Sequence, residues 1–351
     1  MKALKLYGKR DLRFEDASEP RIENENDVII KVKATGICGS DISRYAKLGP
    51  YVQGMIWGHE FSGEVVEVGP SVSHVKAGDR VVGCPALYCG KCESCKKGIL
   101  SQCESLHVIG ALQPGSFAEY VKLPGENVLF IPDEISYDSA ALIEPSSVVV
   151  HGLYRTSLQP GDSVAVMGCG TIGLLAVQWA KIFGASEIFA IDIDDQKLNI
   201  AKEMGADFTI NPLEKSAYDQ IMELTNGKGV DIAVESAGSP VTSAQVFSLA
   251  KKRGQVVFMG IPYGDVLVER FYFEKIVRNE LTVLGSWNAI SSPFPGKEWK
   301  TTIDCMRTGK LNAEALITHR ITLEEGPKMF EKILEKKEFI GKVLFYPEIR
   351  L

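Results

Sequence analysis

The sequence has no stretch apolar enough for a membrane span. Its longest apolar run, Val164 to Ala180, holds three glycines, Thr171 and Gln178, and is flanked by Asp162 and Lys181. A spanning helix needs about 20 predominantly apolar residues. Excess positive charge is absent too. Lys and Arg number 39 against 45 Asp and Glu, a formal net charge of -6, which removes the footprint expected for nucleic acid or an anionic membrane. No secretory h-region or cleavage site follows Met1-Lys2-Ala3-Leu4-Lys5-Leu6, so a cytoplasmic protein is expected. Internal repeats and low-complexity tracts are missing, which argues against a solenoid or a compositionally disordered chain.

What is present is an ordinary globular balance. The chain has 351 residues, 45% hydrophobic and 24% charged, enough for about two domains and a sizeable core. Cytosolic cysteines stay reduced, so clustered ones point to metal rather than to disulfides. The clearest cluster is Cys89, Cys92, Cys95 and Cys103, spaced C-x2-C-x2-C-x7-C. Four thiolates at such spacing can wrap one tetrahedral zinc, leaving no open position, and staple a loop that lacks a core. Oxidised pairs and an iron–sulfur cluster are the alternatives. Lys91, Lys96 and Lys97 would offset the charge of such a site.

A second group is Cys38, in Gly36-Ile37-Cys38-Gly39-Ser40-Asp41, with His59 and Glu60, in Gly58-His59-Glu60. A thiol, an imidazole and a carboxylate suit Zn²⁺, and a catalytic zinc takes three protein ligands and keeps one position open. Consecutive strand residues face opposite ways, so Glu60 joins His59 on one ion only if the chain turns there. Glu144, a carboxylate inside the apolar run Ala140 to Val150, is the better third ligand, because a charge left unpaired there would be costly. Taken singly, His59 reads as a core histidine and Cys38 as a small buried hydrophobe.

Residues 1–150 read as β-rich, with strands near 28–34, 63–69, 78–82 and 118–121 between glycines, a partly closed barrel or sandwich. From Ser163 strands alternate with helices, the pattern of a parallel α/β sheet. The strand Ser163 to Met167 runs into Gly168-Cys169-Gly170-Thr171-Ile172-Gly173 and then a helix, Leu174 to Phe183. In that context the G-x-G-x-x-G pattern is a dinucleotide fingerprint. Gly168 gives the tight turn, Gly170 a close backbone approach to the pyrophosphate, and Gly173 close helix packing. Asp192, 19 residues past Gly173 and followed by Ile193 rather than arginine, selects NAD over NADP by binding the ribose hydroxyls. Further strands are expected at 207–210, 230–235, 255–260 and 281–284. Helices at 298–307 and 323–335 and a last strand at 341–346 complete the chain. The resulting domains are 1–150, 151–287 and a returning segment 288–351.

Gly58-His59-Glu60, Cys38-Gly39-Ser40-Asp41 and the four-cysteine lobe resemble the zinc-dependent medium-chain dehydrogenase/reductase family over nearly the whole chain. The resemblance implies an α/β fold: a Rossmann dinucleotide-binding domain plus a β-rich, GroES-like catalytic domain with a structural zinc lobe, the cleft falling between them. It implies two zinc ions, one catalytic on Cys38 and His59 and one structural on Cys89, Cys92, Cys95 and Cys103. A glutamate matching Glu144 marks the polyol-dehydrogenase branch, and Glu60 matches a residue close behind the zinc. Ser40 matches the first proton acceptor, or else caps a helix starting near Asp41. Many relatives have a histidine where this chain has Ser43. Lys197 matches a ribose-lining position, or is a helix-surface lysine. Arg44 and Lys47 bind a substrate phosphate or are two solvated cations. Trp287 and Asn288 face substrate or pack the domain seam. The expected activity is oxidation of a secondary hydroxyl of a polyol or polyol phosphate with NAD, in a homodimer or homotetramer. The rivals are oxidation of an unphosphorylated polyol or a threonine-like alcohol, and a non-catalytic NAD-binding relative.

Overall fold

In the computed structural model, residues 1–348 are described. Two compact units divide the chain: Met1–Pro145 together with the chain from Ala289 onward, and Ser146–Asn288.

The first unit is built on a mixed sheet. Its long central strand, Asp27–Gly36, alternates Val28, Ile30 and Val32 into a core shared with Phe61, Val65, Val81, Val121 and Leu123, as a half-buried strand should. One edge pairs antiparallel with Glu60–Val68. The other edge is shared: its first half pairs with Tyr120–Pro124 and its last two residues, Thr35 and Gly36, pair with Phe345 and Leu344 of the strand Lys342–Tyr346. The C-terminal strand is thus part of the first unit's main sheet, next to its central strand. Beyond it lies Ile317–Thr322, the sheet's only parallel pairing among the described residues. A smaller sheet orders Asp11–Asp16, Lys2–Gly8 and Met55–Ile56. The helix Gly326–Glu335 buries Met329 and Phe330 against Leu4, Tyr45, Phe117 and Phe345.

The second unit is a six-stranded parallel sheet. Its spatial order is Phe208–Ile210, Glu187–Ile191, Ser163–Met167, Val230–Glu235, Ala250–Phe258, Thr282–Gly285. Numbered along the chain this is 3-2-1-4-5-6, the doubly wound order of dinucleotide-binding domains. Buried on both faces, the strand Ser163–Met167 has no exposed residue, which is why it reads as an unbroken apolar run. The helix after it, Thr171–Ile182, is buried from Gly173 to Ala180. It carries Trp179, whose Nε1–H donates to Ser146 Oγ at 2.8 Å. No helix among the described residues is long and apolar enough to cross a membrane.

Candidate metal centre and dinucleotide site

Strand register brings the candidate metal ligands together. Gly36 pairs with Glu60 across the first unit's sheet. Cys38 lies two residues beyond Gly36 and His59 one before Glu60, so both ligand-bearing ends meet at one sheet end. The chain also turns there, since Gly58 has φ +94 and an added Cβ would strike the Phe117 ring. That turn brings Glu60 to the same side as His59. Ligand atoms of Cys38, His59 and Glu60 all lie within 4.8 Å of one another. Glu144 does not join this 4.8 Å group. It stands in the first turn of the helix Ile143–Tyr154, close enough that its charge acts on His59. Ser62 Oγ donates to Tyr137 O at 2.5 Å, tying the helical segment before Glu144 to the His59 strand.

Glu60 is otherwise engaged. It is buried, and Lys342 Nζ, itself buried, donates to its Oε2 at 2.5 Å. Gly36 leaves it room, since a Cβ there would come within 2.6 Å of that oxygen. Cys38, His59 and Glu144, by contrast, each keep some exposed surface.

Asp41 organises the loop. Cys38, not Ser40, caps the short helix Gly39–Ser43. Asp41 Oδ2 accepts the Cys38 N–H at 2.9 Å. Its other oxygen, Oδ1, is buried with no hydrogen-bond partner among the described residues and lies 3.8 Å from His59 Nδ1. Ser40 is therefore no cap and sits exposed in the helix.

Burial is the largest influence on the site's ionisable groups. Burial lifts the Asp41 carboxyl to about 6 against the pull of His59. Burial likewise lifts Glu144 to about 7, with His59 opposing and Glu60 adding. Burial would hold the His59 imidazole down, but Asp41, Cys38 and Glu144 outweigh it and raise it well above its usual value. A thiol, an imidazole and carboxylates, with an orphaned carboxylate oxygen turned toward the imidazole, fit zinc and the carboxylate–histidine–metal arrangement.

The four cysteines of the lobe also converge, with Cys89, Cys92, Cys95 and Cys103 sulfurs within 4.8 Å of one another and no disulfide among them. Backbone N–H groups aim at the sulfurs: Cys92 N–H at Cys89 Sγ and Cys89 N–H at Cys103 Sγ, both at 3.3 Å. The N–H groups of Lys91 and Cys92 lower the Cys89 thiol to about 6. Lys97 pairs with Glu93 at 2.5 Å rather than with a sulfur.

In the second unit, the three glycines have separate environments. Gly168, at φ +96, would press a Cβ onto Ala237 N at 2.8 Å. A Cβ on Gly173 would run into Gly168 O, whereas one on Gly170 meets nothing within 4 Å. Gly170 thus keeps open space over the N-terminus of the helix Thr171–Ile182, which has no side-chain cap. Free N–H groups in such a place bind anions. Asp192 ends the strand Glu187–Ile191, accepting Cys169 N–H at 2.7 Å and Asp194 N–H at 3.0 Å. Lys197 Nζ lies 3.9 Å from it.

The remaining residues divide. Arg44 lies 3.6 Å over the Tyr51 ring and bonds Gly49 O at 3.4 Å, while Lys47 is exposed. Both belong to a π-helical turn, Arg44–Leu48. Trp287 is exposed, and Asn288, at φ +54, has a buried Nδ2 with no partner among the described residues. Sequence reasoning missed Asp41 and Lys342. An acid three residues after the capping cysteine was a signal for Asp41; Lys342 offered none.

Residues 24–133 match the alcohol dehydrogenase GroES-like domain and residues 171–307 match the zinc-binding dehydrogenase domain. Sorbitol dehydrogenase from Bacillus subtilis (strain 168) is 37% identical, covering 99% of this chain and 97% of that one. The crystal structure of galactitol-1-phosphate dehydrogenase from Escherichia coli is 36% identical, with a TM-score of 0.94 over 99% of this chain and all of that one. A zinc-binding dehydrogenase structure from Sinorhizobium meliloti 1021 bound to NADP is 32% identical, with a TM-score of 0.89 over 99% of both chains. The chain therefore belongs to the zinc-binding medium-chain dehydrogenase family and is an oxidoreductase of its zinc-dependent polyol branch.

Proposed function

We propose that the protein oxidises a secondary hydroxyl of a sugar-alcohol phosphate, similar to galactitol 1-phosphate, to the ketose phosphate, with NAD as acceptor. The convergence of Cys38, His59 and Glu60 within 4.8 Å carries this reading, with Glu144 outside that group but close enough that its charge acts on His59. Cys38, His59 and Glu144 are the proposed ligands of a catalytic zinc, with Glu60 behind them on Lys342. The lobe cysteines would hold a second, structural zinc.

When bound, zinc supplies Lewis-acid polarisation of the substrate hydroxyl, and NAD supplies the hydride acceptor. Asp41 Oδ1 faces His59 Nδ1 at 3.8 Å and would orient the ring toward a bound metal, as a carboxylate behind a ligating histidine does. Ser40, exposed beside Cys38, accepts the hydroxyl proton and releases it to water, so Ser43 need not act as a relay. The carbinol hydrogen leaves as hydride with two electrons, and the carbon becomes a ketone. NAD is preferred because a carboxylate at Asp192 repels a 2′-phosphate. The S. meliloti structure carries NADP, so this preference rests on Asp192 and not on likeness.

Phosphate recognition is supported by the likeness to galactitol-1-phosphate dehydrogenase and by Arg44 and Lys47 close after Cys38. One observation favours an unphosphorylated polyol: the Arg44 guanidinium is already engaged by Tyr51 and Gly49. NAD reduction across hexitol and pentitol phosphates beside their free alcohols separates the two. Faster turnover of phosphates is expected; equal or faster turnover of the free alcohols rejects the phosphate. We also propose a homodimer, formed through an exposed edge of the second unit's sheet.

A further inference from the structure

The mechanism leaves the buried Lys342 ammonium without a part. Taking an ammonium out of water is costly, and an apolar side chain of similar volume is often as stable in such a place. Its surroundings are specific. Nζ donates to Glu60 Oε2 at 2.5 Å and to Ile37 O at 2.9 Å. Ile37 immediately precedes Cys38, and Glu60 immediately follows His59. The same strand grips Ile37 a second time, since the Ile37 N–H donates to Val343 O at 3.1 Å. Gly36 bounds the Glu60 carboxylate from the Cys38 side, where any Cβ would crowd it. Two neighbouring residues at the far end of the chain therefore hold both ligand-bearing segments, each at one residue from its ligand.

We propose that Lys342 is a positioning residue for the metal centre, a clamp between the Cys38 and His59 segments that governs how firmly zinc is retained there. The proposal rests on the catalytic-zinc reading. It makes retention depend on the C-terminal strand being in place beside Asp27–Gly36. A residue that orients ligands without touching the metal commonly changes metal affinity by about 10–100-fold when lost.

The test is zinc release from the full chain into a colorimetric chelator. The wild type should release zinc in two phases, and Cys103→Ser identifies the lobe's phase by removing it. Lys342→Met should speed the other phase by about 10–100-fold and leave the lobe's phase unchanged. Lys342→Met with Glu60→Gln removes the carboxylate that the first variant leaves unpaired, and keeps the test open if that variant folds poorly. It too should release fast, because the bridge to Ile37 O is gone. Unchanged release in the variants, equal acceleration of both phases, or restored retention in the double variant would each overturn the clamp. A wild type that holds zinc only in the lobe defeats the catalytic-zinc reading itself, and the clamp with it. Two ions held with release unaltered by Lys342→Met defeats the clamp alone.

Discussion

Gly170 and Gly173 show how residues of one kind serve different ends three positions apart. A methyl at Gly173 meets the Gly168 carbonyl and also Ser236 Oγ at 2.9 Å. The carbonyl is main chain and cannot yield, so Gly173→Ala should destabilise the protein by about 1–3 kcal/mol, as overpacking does. Gly170 has an ordinary φ of -74 and free space about its Cα. Gly170→Ala should leave the melting temperature unchanged yet weaken dinucleotide binding about tenfold, roughly 1.4 kcal/mol. Calorimetric melting beside NAD titration checks both, and equal melting losses in the two variants would contradict the division. The turn at Gly168 and the close packing at Gly173 were legible because the fingerprint's spacing encodes them. The same holds for the lobe, whose four cysteines lie within 15 positions and meet in space. Lys342 was illegible for the opposite reason: its carboxylate partner is 282 residues away, and nothing local marks a lysine as buried.

The helix Gly326–Glu335 is pinned by one acid on its surface. Glu331 accepts from Arg10 Nε at 3.0 Å and also from Tyr45 Oη. Arg10 chiefly, then Tyr45, hold its carboxyl down at about 2, against an ordinary 4.5. A folded-state value below the unfolded one gives stability that is fully present above pH 4.5 and lost as pH falls through 2. The pair is substantially exposed, so the contribution is about 1 kcal/mol or less after screening. Glu331→Gln should melt slightly below wild type at neutral pH, and the gap should close between pH 4.5 and 2. A gap independent of pH would assign the loss to packing. The lobe carries a stronger dependence at this scale. Cys103→Ser should drop one zinc per chain and expose residues 89–103 to limited proteolysis, with NAD binding kept; an unchanged digestion pattern would mean that metal does not order the loop. Elements with both faces buried were read to the residue: Ser163–Met167 and Val230–Glu235. Elements set by distant pairing were not. Lys2–Gly8 and Asp11–Asp16 form a hairpin sheet that the sequence reading passed over, and Ala250–Phe258 starts five residues before the expected strand. Its early residues run through Arg253 at φ +60, an irregularity that hides the alternation.

At the level of the chain, the second unit is an excursion between Pro145 and Ala289, and the last strand completes the sheet begun near the start. The boundary falls at 145 rather than 150 because the helix Ile143–Tyr154 runs across it, and no periodicity marks a border inside one helix. Among the described residues, the second unit's sheet ends on Thr282–Gly285, paired on one side only, by Ala250–Phe258. An unpaired strand edge invites another strand. Val283 on it is 44% exposed, and the helix before it, Arg270–Arg278, exposes Phe271, Phe273 and Val277 at 46%, 57% and 64%. A monomer seldom leaves so much apolar surface in water, and a second copy offers both the strand and the apolar partner, since a two-fold interface is self-complementary. Light scattering on the wild type should therefore give twice the 38.5 kDa chain mass. Val283→Lys puts a charge where the strands would meet and should yield a monomer that still binds NAD, because the fingerprint glycines and Asp192 lie just beyond two other strands, Ser163–Met167 and Glu187–Ile191. A wild type that runs as a monomer, or a Val283→Lys variant that stays paired, would remove this edge as the interface.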